Sequence, residues 1–143
     1  MRRALLLAAA LAAATTLAAC SSDDNDTATA GDRITVQMTD NAYSPTSFDV
    51  KKGETVTFEF VNDGQMTHEA YIGDQQAQED HATDMMGGND SHSMDMGGDE
   101  VVKVEPGTTE TMTHTFDEDG PVMIGCHQPG HWESGMKAAV NVG

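Results

Sequence analysis

The reactive side chains of this sequence are concentrated near its end. The stretch Gly125-Cys126-His127-Gln128-Pro129-Gly130-His131-Trp132-Glu133-Ser134-Gly135-Met136 sets a thiol, an imidazole and a thioether at C-x4-H-x4-M spacing. A further imidazole, His68, follows the turn Asn62-Asp63-Gly64 upstream. A thiolate, two imidazoles and a thioether make the donor set of a blue-copper centre, trigonal His2Cys with a weak axial Met. The thiolate bonds covalently enough to delocalise an electron, and the imidazoles suit both oxidation states of copper. A long thioether contact lets the site keep nearly one shape as the charge on the ion changes.

Plainer readings compete. A lone cysteine is most often a small buried hydrophobe, but Cys126 has His131 and Met136 at these spacings. Zinc accepts Cys and His ligands as well, yet would leave Met136 without a purpose. Cys126 and His127 as nucleophile and base are weaker still, because adjacent residues point apart and no third group is evident. His127 reads as a solvent-side loop residue. His114 shares a strand face with Met112 and Phe116 and reads as packed or on the surface. Trp132 reads as a cover for one side of the loop or as ordinary packing.

The elements that must position these groups read as short strands. Ile34, Val36 and Met38 alternate with polar residues, and Val56, Phe58 and Phe60 do so more cleanly. Further strands are expected over 46–50, 68–72, 101–104, 109–116, 122–126 and 136–142. Turn signals separate them at Lys52-Gly53, Asn62-Asp63-Gly64, Pro106-Gly107 and Asp119-Gly120-Pro121. About eight short strands and almost no helix predict an all-β fold, a β-sandwich or small Greek-key barrel. With few aromatics, the core must be built mainly from Val, Ile, Met and Phe.

Residues 33–143 resemble a small bacterial cupredoxin of the plastocyanin/azurin class, with a ligand-loop spacing like that of rusticyanin. The resemblance rests on His68, Cys126, His131 and Met136, on the Cys-x-x-Pro-Gly-His stretch, on the Gly-Met close and on the strand-turn run from Phe116 to Cys126. It implies a Greek-key sandwich with copper at one end, His68, Cys126 and His131 as equatorial ligands, and Met136 as the axial ligand. One position departs from the pattern. Many members carry Asn or Ser after the first His, where it braces the loop holding the Cys; here it is Glu69. A carboxylate there is expected to favour the oxidised ion and lower the potential.

Residues 75–100 break the strand rhythm, for they lack Val, Ile, Leu and every aromatic. They read as a long loop inserted between two strands. Four of the ten methionines fall within residues 79–99, with no aliphatic neighbours to give them a core. His81, Met85, Met86, His92, Met94 and Met96 therefore form a candidate second site, since thioethers select Cu(I), or Ag(I), over harder ions. The plain alternative is an acidic loop without structure.

The N-terminus reads as a processing signal. Arg2 and Arg3 precede an apolar run of Ala and Leu that is too short to span a bilayer with proper flanks. The run ends in Leu17-Ala18-Ala19-Cys20, which resembles the lipobox of bacterial lipoproteins and implies cleavage before Cys20 and lipidation of its thiol. Residues 1–19 are thus expected to be a signal peptide, 20–32 a lipidated flexible tether, and 33–143 the folded domain. An extracytoplasmic place follows, anchored to the cell membrane or the outer membrane.

The sequence has 143 residues and a formal charge of −17, which becomes −19 once the two arginines of the leader are gone. Nucleic acid is excluded as a partner, because phosphate binding needs a basic footprint. Such a charge favours a monomer and steers basic docking surfaces on redox partner proteins. The function expected first is one-electron transfer through a single copper; the alternative is copper trafficking or resistance, with the Met/His-rich loop capturing Cu(I). No enzymatic activity is expected: multicopper oxidase or nitrite reductase chemistry needs further His ligands, and of six histidines only His114 and His127 remain unassigned.

Overall fold

Alternating burial follows directly from the sequence. Strand β2 (Arg33–Thr39) buries every second residue, and β5 (Thr55–Asn62) turns Val56, Phe58, Phe60 and Asn62 fully inward. These strands belong to a computed structural model that describes residues 27–29, 33–87 and 101–143. The remaining elements are β1 (Thr27–Thr29), β3 (Ala42–Ser44), β4 (Ser47–Val50), β6 (His68–Gly73), α1 (Gln75–Met86), β7 (Val101–Val104), β8 (Thr109–Thr115), β9 (Gly120–Gly125) and β10 (Lys137–Val142).

The ten strands form two sheets, one ordered β1-β4-β10-β9-β6-β7 and the other β3-β2-β5-β8. Strand β5 pairs in parallel with β2 and antiparallel with β8, while β9 lies between β10 and β6. Between the sheets lie Phe48, Phe58, Phe60, Met38, Ile72, Ile124 and their neighbours, all buried. Phe58 is central, meeting Phe48 and Phe116 edge-on at ring separations of 5.7 and 6.3 Å and stacking on Phe60 at 6.0 Å. The core is thus aliphatic and Phe-rich, as composition required.

Three expectations need correction. Strands β1 and β3 add to the eight read from the sequence, since each is only three residues long and too short to show a period. Strand β1 pairs in parallel with β4, so residues 27–29 of the expected tether are part of a sheet. The start of the inserted segment is a twelve-residue helix, not a loop. Helix α1 has no apolar stripe because its inner anchor is Gln78, its one buried residue. Its local signals are an Asp74 N-cap whose side chain accepts from the Ala77 N–H, a run of good helix formers, and Gly87 at the close. The expected signal peptide (residues 1–19), Cys20 and residues 88–100 lie outside the described residues.

Helix α1 packs on β6 and β9. Along β6, His68, Ala70 and Ile72 share the face turned to the other sheet, whereas Glu69 and Tyr71 share the opposite face, beneath α1. Gly125 makes that packing possible. A Cβ on it would lie 2.5 Å from Gln78 Oε1 and 2.6 Å from Trp132 Cζ3. Any side chain would drive helix and loop off the sheet.

Candidate metal centre

His68 opens β6, and the turn before it is held by two side chains. Asn62 donates through Nδ2 to the carbonyls of Met66 and Val104 and accepts from the Gly64 N–H. Asp40 Oδ1 accepts the N–H groups of Gln65 and Met66. These bonds, with Gln65 first, hold the Asp40 carboxyl below the usual carboxylate range. The same oxygen lies 3.5 Å from His68 Nε2. That nitrogen is buried, and apart from this contact nothing among the described residues offers it a hydrogen bond.

The other three groups come from the β9–β10 connection. Cys126 directly follows β9, and Met136 directly precedes β10. Gly125 and Lys137 are paired across the ladder, and the Cys126 N–H donates to the Met136 carbonyl. The loop between is closed on itself: the Met136 N–H donates to the His131 carbonyl, and the His131 N–H to that of Gln128. Gly130 and Gly135, at φ 81° and 96°, supply left-handed turns that few other residues adopt. Alternating strands and a tight loop thereby bring His68, Cys126, His131 and Met136 to one end of the sandwich, all four buried.

One donor atom each from His68, Cys126 and His131 lies within 4.8 Å of the others. His131 Nδ1 stands 3.3 Å from His68 Nδ1 and 3.4 Å from Cys126 Sγ. Nitrogen and sulfur donors about 2.0 and 2.3 Å from a shared ion at near-tetrahedral angles are themselves about 3.3–3.6 Å apart, so the spacing fits a first-row metal. Burial supports that fit. It holds the His68 imidazole below its usual pKa, with His131 adding to the effect, so a neutral ring offers its lone pair. Burial also pushes the Cys126 thiol up, against N–H donors from Glu69 and Gln128. A bound cation removes that thiol proton. Among the described residues these three, two imidazoles and a thiol, form a cluster able to hold a metal ion.

The surroundings of Cys126 are the part that sequence reasoning missed. The Glu69 N–H donates to Cys126 Sγ at 3.4 Å, and the Glu69 carbonyl accepts the hydroxyl of buried Tyr43 from the opposite sheet. Burial, with Cys126 and Glu69 nearby, raises the Tyr43 pKa well above its ordinary value. At position 69 the contact with Cys126 is made by backbone, which any residue carries, while the side chain turns to His81. His127 is also buried rather than on the solvent side. Its Nε2 meets Gln78 Oε1 at 2.7 Å, and its ring stacks on Trp132 at 4.7 Å. Trp132 covers that side of the loop, with the Lys137 ammonium 4.3 Å above it. His114 meets Phe116 edge-on at 4.6 Å, as a packed residue.

Of the candidate second site, the structure describes His81, Met85 and Met86; His92, Met94 and Met96 lie outside the described residues. His81 points inward, its Nε2 2.7 Å from Glu69 Oε1 and its ring stacked 4.1 Å over Tyr71. Met85 and Met86 are exposed, Met86 to 81%. They line a groove beside His127, Gln128 and Trp132. His81 is thus engaged by Glu69 and Tyr71, whereas the two thioethers face the groove.

Comparison with known proteins places this geometry. The family model described as "Cupredoxin-like domain" matches residues 6–120, a span that includes His68 and ends before Cys126. A "Copper-resistant cuproprotein CopI" of Rubrivivax gelatinosus is 32% identical over 118 residues, covering 82% of this chain and 70% of the relative. Another of that name from Pseudomonas aeruginosa is 28% identical over 141 residues, covering 80% and 78%. Among solved structures, dithionite-reduced auracyanin from Roseiflexus castenholzii superposes with a TM-score of 0.69 at 24% identity, over 80% of this chain and 98% of its own. An azurin from Methylomonas sp. strain J gives 0.62 at 19%, over 78% and 97%. These last two likenesses concern the fold alone.

Proposed function

Because the chain belongs to the cupredoxin-like domain family, we propose that it is an extracytoplasmic copper protein serving copper tolerance, with His68, Cys126, His131 and Met136 holding one copper ion. The observation that carries this reading is the cluster of His68, Cys126 and His131 donor atoms, buried and within 4.8 Å of one another. Copper in such a donor set supplies a one-electron Cu(I)/Cu(II) couple. The protein's part is to keep water out, to hold the donors at fixed spacing through the β9–β10 ladder, and to present Cys126 Sγ to N–H donors. The sequence alone favours electron transfer ahead of copper handling. The names of the 32% and 28% identical relatives shift the balance toward tolerance, while the preformed, buried donor set keeps a one-electron carrier as the second reading.

The anchor belongs to this proposal. Cys20, lipidated and tethered, would hold the domain on the extracytoplasmic side of the cell membrane or at the outer membrane, and no helix among the described residues is long and apolar enough to cross one. Met85 and Met86, joined by Met94, Met96 and His92, are the proposed Cu(I)-capturing set of the inserted segment. Basic docking surfaces on partner proteins and a monomeric state follow from the net charge of −17.

Titrating the metal-free protein with Cu(II) and with Cu(I) tests the reading. One Cu(II) per chain with an intense visible band is expected, and more than one Cu(I). Replacing Met85, Met86, Met94 and Met96 by Leu should remove the extra Cu(I) alone. A chain that binds neither ion contradicts the reading.

A further inference from the structure

Glu69 lies on the outer face of β6, and helix α1 closes over it. The residue is 5% exposed and is engaged at three points. Its N–H donates to Cys126 Sγ, its carbonyl accepts from Tyr43, and its carboxylate meets His81 Nε2 at 2.7 Å. A carboxylate removed from water needs a partner, and among the described residues the partner that meets it is an imidazole rather than Lys or Arg. His81 supplies the partner from one turn beyond Gln78, the residue that fastens α1 to the sheet. Gln78 Nε2 donates to the carbonyls of Tyr71, Gly73 and Met123, and its Oε1 meets His127. Tyr71 then stacks on the His81 ring at 4.1 Å and fixes its plane.

We infer that helix α1 positions His81 to offset the Glu69 carboxylate, so that this pair sets the reduction potential of the metal centre. The inference rests on the copper reading above. It also revises the simple expectation for position 69. An unpartnered carboxylate beside Cys126 would favour the oxidised ion, whereas one bonded to His81 Nε2–H does so far less. His81 is then a positioning residue for charge, touching neither Cys126 nor any other proposed ligand in the recorded contacts.

The test uses the full chain and four variants: Glu69→Gln, His81→Phe, the double substitution and His81→Gln. Midpoint potentials are measured on the copper-loaded proteins. His81→Phe should lower the Cu(I)/Cu(II) ratio at a given potential about tenfold, 59 mV for one electron, and Glu69→Gln should raise it. In the Glu69→Gln background, His81→Phe should have little effect. His81→Gln, which keeps an N–H donor, should recover part of the loss and guards against a folding defect in the Phe variant. In the metal-free protein, the imidazole 15N signal of His81 should move on Glu69→Gln. A potential indifferent to His81, or equally shifted in both backgrounds, overturns the inference, as does an unmoved 15N signal. A protein that takes up copper and behaves so fails this inference alone; one that takes up no copper fails the reading beneath it.

Discussion

Asp40 Oδ1 lies 3.5 Å from Nε2 of His68, the ring nitrogen opposite the one that faces His131 at 3.3 Å. One exposed carboxylate thus ties the turn before β6 and faces the back of a proposed ligand. Such partners orient a histidine and govern how firmly it holds a metal.

Asp40→Ala should therefore weaken copper binding more than it disturbs the fold. The expected effect is a 10- to 100-fold loss of affinity, the usual range for removal of a partner behind a ligand. Competition against a chelator measures it, with circular dichroism as the control. Unchanged affinity would show that His68 is oriented by its strand alone.

Gly125→Ala tests the closeness of α1 and Trp132 to β9. The added methyl would meet Gln78 Oε1 at 2.5 Å and Trp132 Cζ3 at 2.6 Å. Overpacking of this kind costs about 1–3 kcal/mol, read as a lower denaturant midpoint. The Trp132 fluorescence should shift as its ring leaves His127. Wild-type stability would contradict the packing described.

Acid should destabilise the metal-free protein in a defined window. Burial holds His127 and His68 below the ordinary imidazole value of about 6.5, with His81 lowering the first further and His131 the second. The unfolded chain takes up protons near 6.5 that the folded chain refuses. The stability is thus complete above that pH and is lost as pH falls through it toward the lower folded values. Urea midpoints at about pH 7.5 and about pH 5 measure the difference, and His127→Gln should flatten it. A midpoint that rises on acidification would contradict the burial of these rings.

Much of this arrangement is legible before any coordinates. Val56, Phe58 and Phe60 announce their strand because one face is buried and a period of two must appear. Cys126, His131 and Met136 announce the site because loop spacing is local. Helix α1 is illegible by the same logic: it is fastened by hydrogen bonds from Gln78 and by the contact of His81 with Glu69, and polar anchors leave no hydrophobic period. His127 misleads for a related reason, since it is buried by a helix that the apolar pattern does not reveal. The bond from Glu69 to Cys126 comes from backbone, which no residue type encodes.

The visible absorption spectrum of the protein lacking residues 1–19 after one equivalent of Cu(II), beside that of Cys126→Ser, tests the central claim most directly. The unaltered protein should show an intense sulfur-to-copper band that the serine variant lacks. A colourless copper complex, or one that Cys126→Ser leaves unchanged, would contradict the account.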